Sequence, residues 1–183
     1  MGKTRLGFDI GSNSLKIATV HGGGVRVEEV RLPENMVDGT GAIVLPHAFA
    51  QFLKQTKKEL SLPRGPAALA LPPSQVICRL VTMPRMTTEQ LLLNLPYEFS
   101  DFIQGVADQY HCDYAVCAPA GEDGEAQGVP MMAAAAAKQT LAEYARMFAQ
   151  AGLRLKTVLP QEMALIQLCQ ARGAGAEEFC FVD

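Results

Sequence analysis

The chain has 183 residues, 49% of them hydrophobic and 19% charged, with a formal net charge of -3 at pH 7. That makeup belongs to a globular protein with a real core and excludes dominant disorder. The slightly acidic balance leaves no basic footprint for nucleic acid, and no stretch approaches the ~18 consecutive apolar residues of a membrane helix.

Taken in chain order, Thr4 to Val20 reads as strand, tight turn, strand, and Val25 to Leu32 adds a third strand of interleaved apolar and charged residues. His21-Gly22-Gly23-Gly24 between them is best read as a hairpin turn that needs positive φ. A loop through Gly41 follows, then a helix from Pro46 to Leu60, in which Phe49, Phe52, Leu53 and Leu60 recur at helical spacing with lysines between them. Pro63 and Pro66 break it. Ala67 to Leu71 and Gln75 to Met83 read as two strands around Pro72-Pro73.

Thr87 is placed to cap a second helix, with Gln90 closing a capping box, and Pro96 interrupts that helix or begins a new one. Cys112 to Ala118 and Val129 to Ala137 are strand candidates on either side of an acidic, glycine-rich turn at Gly121 to Gly128. The alanines of the second pull toward helix. Lys138 to Ala151 is a helix with Gly152 at its C-cap, followed by a strand Leu153 to Leu159, a helix Pro160 to Gln170 and a strand Glu178 to Val182.

The five cysteines, Cys78, Cys112, Cys117, Cys169 and Cys180, form no Cys-x-x-Cys pair, so neither a disulfide framework nor a zinc ribbon is indicated. His111 and Cys112 with Cys117 nearby invite a metal reading, but free thiols buried in apolar strand positions are expected. The N-terminus is polar and glycine-bearing, unlike a signal-peptide core, and a cytoplasmic protein is expected.

The chemistry concentrates in Asp9-Ile-Gly-Ser-Asn-Ser-Leu-Lys16. A phosphate held in a hairpin needs backbone amides converging on one concavity, with glycine for close approach and small hydroxyl residues around it. Gly11, Ser12, Asn13 and Ser14 have that composition. Asp9, at the end of the first strand, can hold a divalent metal through its waters, and Lys16 shares a strand face with Ser14 and can add positive charge. The plain alternative is an ordinary hairpin with a Gly-Ser-Asn-Ser turn. Gly2-Lys3-Thr4 mimics the end of a P-loop but lacks the upstream strand and glycine.

Asp-x-Gly-Ser-x-Ser-x-Lys between strands resembles the first phosphate motif of the actin, sugar-kinase and heat-shock ATPase superfamily. The continuation resembles more narrowly the PilM family of type IV pilus assembly proteins, relatives of the division protein FtsA. The residues behind this are Asp38-Gly39, Cys78 to Pro84 with Thr88-Glu89-Gln90-Leu91, Tyr97-Glu98, Asp113-Tyr114, Ala134 to Lys138 with Tyr144, and Ala151-Gly152-Leu153. The family often has Ile-Pro where Ile103-Gln104 stands and Asp where Pro160 stands.

The resemblance implies an α/β fold: a ribonuclease H-like, actin-type subdomain 1A interrupted by an inserted subdomain 1C of mixed sheet and helices, of the SHS2 kind. Residues 1–33 and 155–183 would form 1A, and 34–154 the insert. It implies ATP with Mg2+ in the full-length protein, Asp9 on the metal's water shell, Gly11 to Ser14 and Lys16 on the phosphates, and Asp183 as the aspartate that positions the attacking water.

The implied function is a scaffold of the pilus inner-membrane platform, cytoplasmic and held at the membrane's inner face through partners. A groove involving 1A and 1C would bind the cytoplasmic N-terminal peptide of a PilN-like protein. At most a weak ATPase is expected of the full-length protein. Residues 1–183 alone should bind little or no nucleotide, and their exposed apolar surface favours self-association. An FtsA-like division scaffold and a small-molecule kinase are the alternatives, because the hairpin does not separate kinase from ATPase.

Overall fold

The computed structural model describes residues 4–103, 105–117 and 128–171. Strand β1 (Arg5–Ile10) buries Leu6, Phe8 and Ile10 on one face and turns Gly7 and Asp9 to the other, the period of two that a sheet imposes. It pairs antiparallel with β2 (Ser14–His21), which pairs antiparallel with β3 (Gly24–Arg31). Gly22 and Gly23 hold φ of 56° and 85°, so the β2–β3 turn is the left-handed hairpin that the glycines permit.

Helix α1 (Pro46–Glu59) buries Phe49, Ala50, Leu53 and Thr56 along one stripe. It ends with the Leu62 amide on the Lys57 carbonyl at 3.0 Å, and Ser61, at φ 51°, occupies the left-handed position where glycine is usual. Strand β4 (Pro66–Leu71) then runs parallel to β1. The chain leaves this sheet through Pro72 and a short helical turn, Pro73–Gln75.

A second sheet follows, with order β5-β7-β6, from β5 (Ile77–Met83), β6 (Tyr110–Val116) and β7 (Val129–Ala137), all antiparallel. Between β5 and β6, helix α2 (Thr88–Asn94) starts on the expected capping box of Thr87 and Gln90, and Pro96 lies in a tighter helical turn, Leu95–Phe99. Val81, Met83, Leu91, Leu95, Phe99 and Met131 pack into its core. The order is strand, helix, strand, strand.

Strand β7 passes directly into α3 (Lys138–Gln150), which returns to the first sheet and packs beside α1. The Phe148 ring meets Phe8 edge-on at 5.0 Å between centroids. Gly152, at φ 69°, closes α3 with the Leu153 amide on the Phe148 carbonyl at 2.8 Å. Strand β8 (Arg154–Pro160) pairs parallel to β4 and completes the order β3-β2-β1-β4-β8, and α4 (Gln161–Ala171) packs against β4 and β8.

Several sequence expectations change here. The expected insert 34–154 does not follow the sheets, because α1, β4 and α3, all within that span, pack into the core of the first sheet. An amphipathic stripe announces burial without saying against which sheet. Ala67 to Leu71 and Gln75 to Met83, neighbours in sequence, lie in different sheets. Pro160 ends β8 instead of entering the helix. Cys117 is exposed and Cys169 sits on α4, so the thiols are not all buried strand residues. The expected strand Glu178 to Val182, Asp183 and Cys180 lie outside the described residues.

Candidate functional site

Two features of this fold are candidate ligand sites: the β1–β2 hairpin and a groove between the two sheets. The Gly11 amide donates to the Ser14 carbonyl at 2.9 Å, leaving Ser12 and Asn13 as the exposed tip. A Cβ on Gly11 would stand 3.3 Å from that carbonyl oxygen, so close backbone approach, with no need for positive φ, accounts for glycine here. Asp9 and Lys16 are register partners on the sheet face away from Phe8 and Leu15.

The neighbours refine what the hairpin offers. Ser14 Oγ donates to Glu29 Oε1 at 2.6 Å, and Glu29 is also the β3 register partner of Lys16. Thus the Gly11 amide and the Ser14 hydroxyl are engaged within the protein, and the tip residues with Lys16 face outward. Gln161 Nε2, at the first turn of α4, donates to Asp9 Oδ1 at 3.4 Å. Sequence reading named neither Glu29 nor Gln161. The first was accessible, because a turn at Gly22-Gly23 fixes the β2–β3 register, whereas Gln161 reaches Asp9 only through the parallel crossover. Among the described residues no group of three or more His, Cys, Asp and Glu is placed to hold a metal ion.

The groove has a volume of about 480 Å³ and runs between β6 and β7 on one side and β8 and α4 on the other. Met132, Ala134 and Ala136 of β7 face it, while Met131, Ala133 and Ala135 pack toward α2. Alanine side chains in a central strand leave the space that larger ones would fill, which is how a helix-favouring composition serves a sheet here. Val158, Met163 and Ala115 add apolar wall, and Lys156, His111 and Asp113 add polar groups.

Among the described residues both β6 and β8 are edge strands, so backbone groups without a ladder partner border the groove. The Cys117 amide donates inward to the Pro130 carbonyl at 3.1 Å. Because an antiparallel ladder alternates, the amides of Cys112, Tyr114 and Val116 face outward. That of Tyr114 is met by Asp113 Oδ1 at 2.8 Å.

Burial raises the Cys78 thiol to about 11, helped by the Glu162 carboxylate, and raises the Cys112 thiol against the pull of Lys138. Asp38 is held below the ordinary carboxylate range by the Thr40 hydroxyl and by the Thr40 and Ala42 amides, which fix the loop ahead of α1. None of these groups is poised for acid or base catalysis near neutral pH.

A sheet of order β3-β2-β1-β4-β8, its first three strands antiparallel and the rest parallel, with a tight hairpin after its first strand and a second small sheet inserted, defines an actin-type subdomain 1A carrying an insert. The family model of type IV pilus assembly protein PilM matches residues 7–166, and the chain belongs to that family. Among solved structures, a PilM-PilN type IV pilus biogenesis complex superposes with a TM-score of 0.79 at 24% identity, over 92% of this chain and 50% of that one. The chain therefore spans half the length of that structure.

The cytoplasmic domain of EpsL, an inner-membrane component of the type II secretion system of Vibrio cholerae, matches with a TM-score of 0.56 at 15% identity, over 86% of this chain and 57% of its own. A Bacteroides thetaiotaomicron protein with an actin-like ATPase fold and unknown function aligns at 11% identity and a TM-score of 0.47, a likeness too weak to argue from. No curated protein matches by sequence.

Proposed function

We propose that this chain is the N-terminal lobe of a pilus-assembly scaffold that holds a short extended peptide of a PilN-like membrane protein in the groove between its two sheets. Subdomain 1A would be residues 4–71 with 138–171, and the insert 1C residues 73–137. The observation that carries this reading is the groove itself: apolar floor, polar rim, and an edge strand, β6, with outward amides suited to an extended main chain. Family membership and the fold shared with the PilM-PilN complex support it.

Nucleotide binding is assigned to the full-length protein only. There the tip amides of Ser12 and Asn13 and the Lys16 ammonium would meet the phosphates, and Asp9, oriented by Gln161, would hold the magnesium through water. Ser14 would join only by giving up its bond to Glu29. Asp183 keeps its expected role in positioning water. Among the described residues no helix is long and apolar enough to cross a membrane, and attachment to the inner face of the membrane would come through the partner.

The test is a pull-down of the full-length protein with the N-terminal cytoplasmic peptide of the PilN-like protein. Retention well above a scrambled peptide is expected; equal retention of the two would defeat the reading.

A further inference from the structure

The first sheet ends at β3, an eight-residue strand without proline, whose outer edge carries no partner strand among the described residues. Edges of this kind are usually blunted by short length, charged side chains, proline, bulges or cover. Strand β3 carries the charges Arg26, Glu28, Glu29 and Arg31, but in both signs, and Val25 and Val27 stand 66% and 65% exposed on the face they share with Val20. We propose that β3 is a self-pairing edge, and that two copies of this chain join their first sheets through antiparallel β3 strands about a two-fold axis centred on Val27.

The backbone selects this register. The Leu32 amide donates inward to the Asn13 carbonyl at 2.9 Å, so by alternation the amides of Val30, Glu28 and Arg26 also face β2. Those of Val25, Val27 and Glu29 face outward. A two-fold centred on Val27 sets Val27 against Val27 of the second copy and Val25 against Glu29 of the second copy. All of these are outward-facing residues, able to exchange both backbone bonds of each pair.

The side chains select it as well. Of the outward-facing residues, Glu29 or Arg31 as centre would set like charges face to face, and Val25 as centre would pair only Gly24 to Arg26 of each strand. Centred on Val27, Arg26 lies opposite Glu28 of the second copy, twice, while Val25 and Val27 of both copies form one apolar strip. Arg26 and Glu28 already pair within the strand at 2.5 Å, with the Arg26 side chain 69% exposed and free to turn to a new partner. Charge complementarity and hydrogen-bond parity thus agree on one register, whose occupant is a second copy of this chain.

Cysteine cross-linking of the 183-residue chain in a Cys117→Ser background tests it. Under mild oxidation Val27→Cys should give a covalent dimer. Val25→Cys should not, because the two copies of that position lie roughly 14 Å apart in this register. By sedimentation, Arg26→Glu should weaken dimerisation about tenfold, and adding Glu28→Arg should restore it. Circular dichroism checks that each variant is folded. Equal cross-linking at both positions, a monomer at all concentrations up to about 100 μM, or no rescue by the charge swap would each overturn the proposal.

Discussion

Truncating Phe148 tests whether α3 belongs to the first sheet. Its ring is fully buried and stands edge-to-face on Phe8, at 5.0 Å and 86°, so Phe148→Ala removes a core aromatic and leaves a cavity between α3 and β1. The expected loss is about 3–5 kcal/mol, which a domain with about 5–15 kcal/mol of stability survives. At a urea dependence of about 1–3 kcal/mol per molar, the unfolding midpoint should fall by roughly 2 M. A double-mutant cycle with Phe8→Leu and Phe148→Leu, mild enough to keep all four proteins folded, should give a coupling of about 0.5–1.5 kcal/mol. A loss below about 1.5 kcal/mol for Phe148→Ala, together with zero coupling, would place α3 elsewhere and restore the expected boundary of the insert at residue 154.

Three further outcomes follow from the same geometry. Burial pushes the Tyr144 phenol from 10.0 to about 12, so its unfolded form ionises first and stability present below pH 10 is lost toward pH 12. Its buried hydroxyl makes no well-formed hydrogen bond, with Gln75 beside it. Tyr144→Phe should therefore change stability by less than about 1 kcal/mol at pH 7 and flatten the alkaline loss, and an unchanged urea midpoint at pH 11 relative to wild type would count against this. At pH 8, iodoacetamide should modify exposed Cys117 about tenfold faster than Cys78, whose thiol burial raises to about 11; peptide mass spectrometry showing equal rates would contradict the packing of β5. Ser61→Gly should raise stability by about 1 kcal/mol in thermal or urea unfolding, since Ser61 holds φ 51°; a destabilised variant would mean the α1 terminus is built differently.

Local signals in the sequence reported local structure faithfully. The alternation of Leu6, Phe8 and Ile10, the Gly22-Gly23 turn, the Thr87 and Gln90 capping box and the Gly152 cap each arise from backbone chemistry within a few residues. What they could not carry was partnership between sheets. Whether β4 joins β1 or β5 depends on a parallel crossover spanning α1, and the lysine-flanked stripe of α1 looks the same against either sheet. The ligand features divided similarly. The β1–β2 hairpin that carries Asp9 to Lys16 was legible because it is contiguous, whereas the groove draws on β6, β7, β8 and α4, and its depth depends on the smallness of Ala134 and Ala136. Glu29 on Ser14 follows from the register that the Gly22-Gly23 turn sets, whereas Gln161 on Asp9 is a contact that no linear motif encodes.

The central claim, a peptide held between the two sheets, is tested most directly by calorimetric titration of the full-length protein with the N-terminal cytoplasmic peptide of its PilN-like protein. Wild type and Ala115→Arg, a change on the exposed groove wall of β6, should be compared. Saturable binding by wild type that weakens at least about tenfold in Ala115→Arg, with folding intact, is the predicted result. Absence of binding, or binding that Ala115→Arg leaves unchanged, would contradict it.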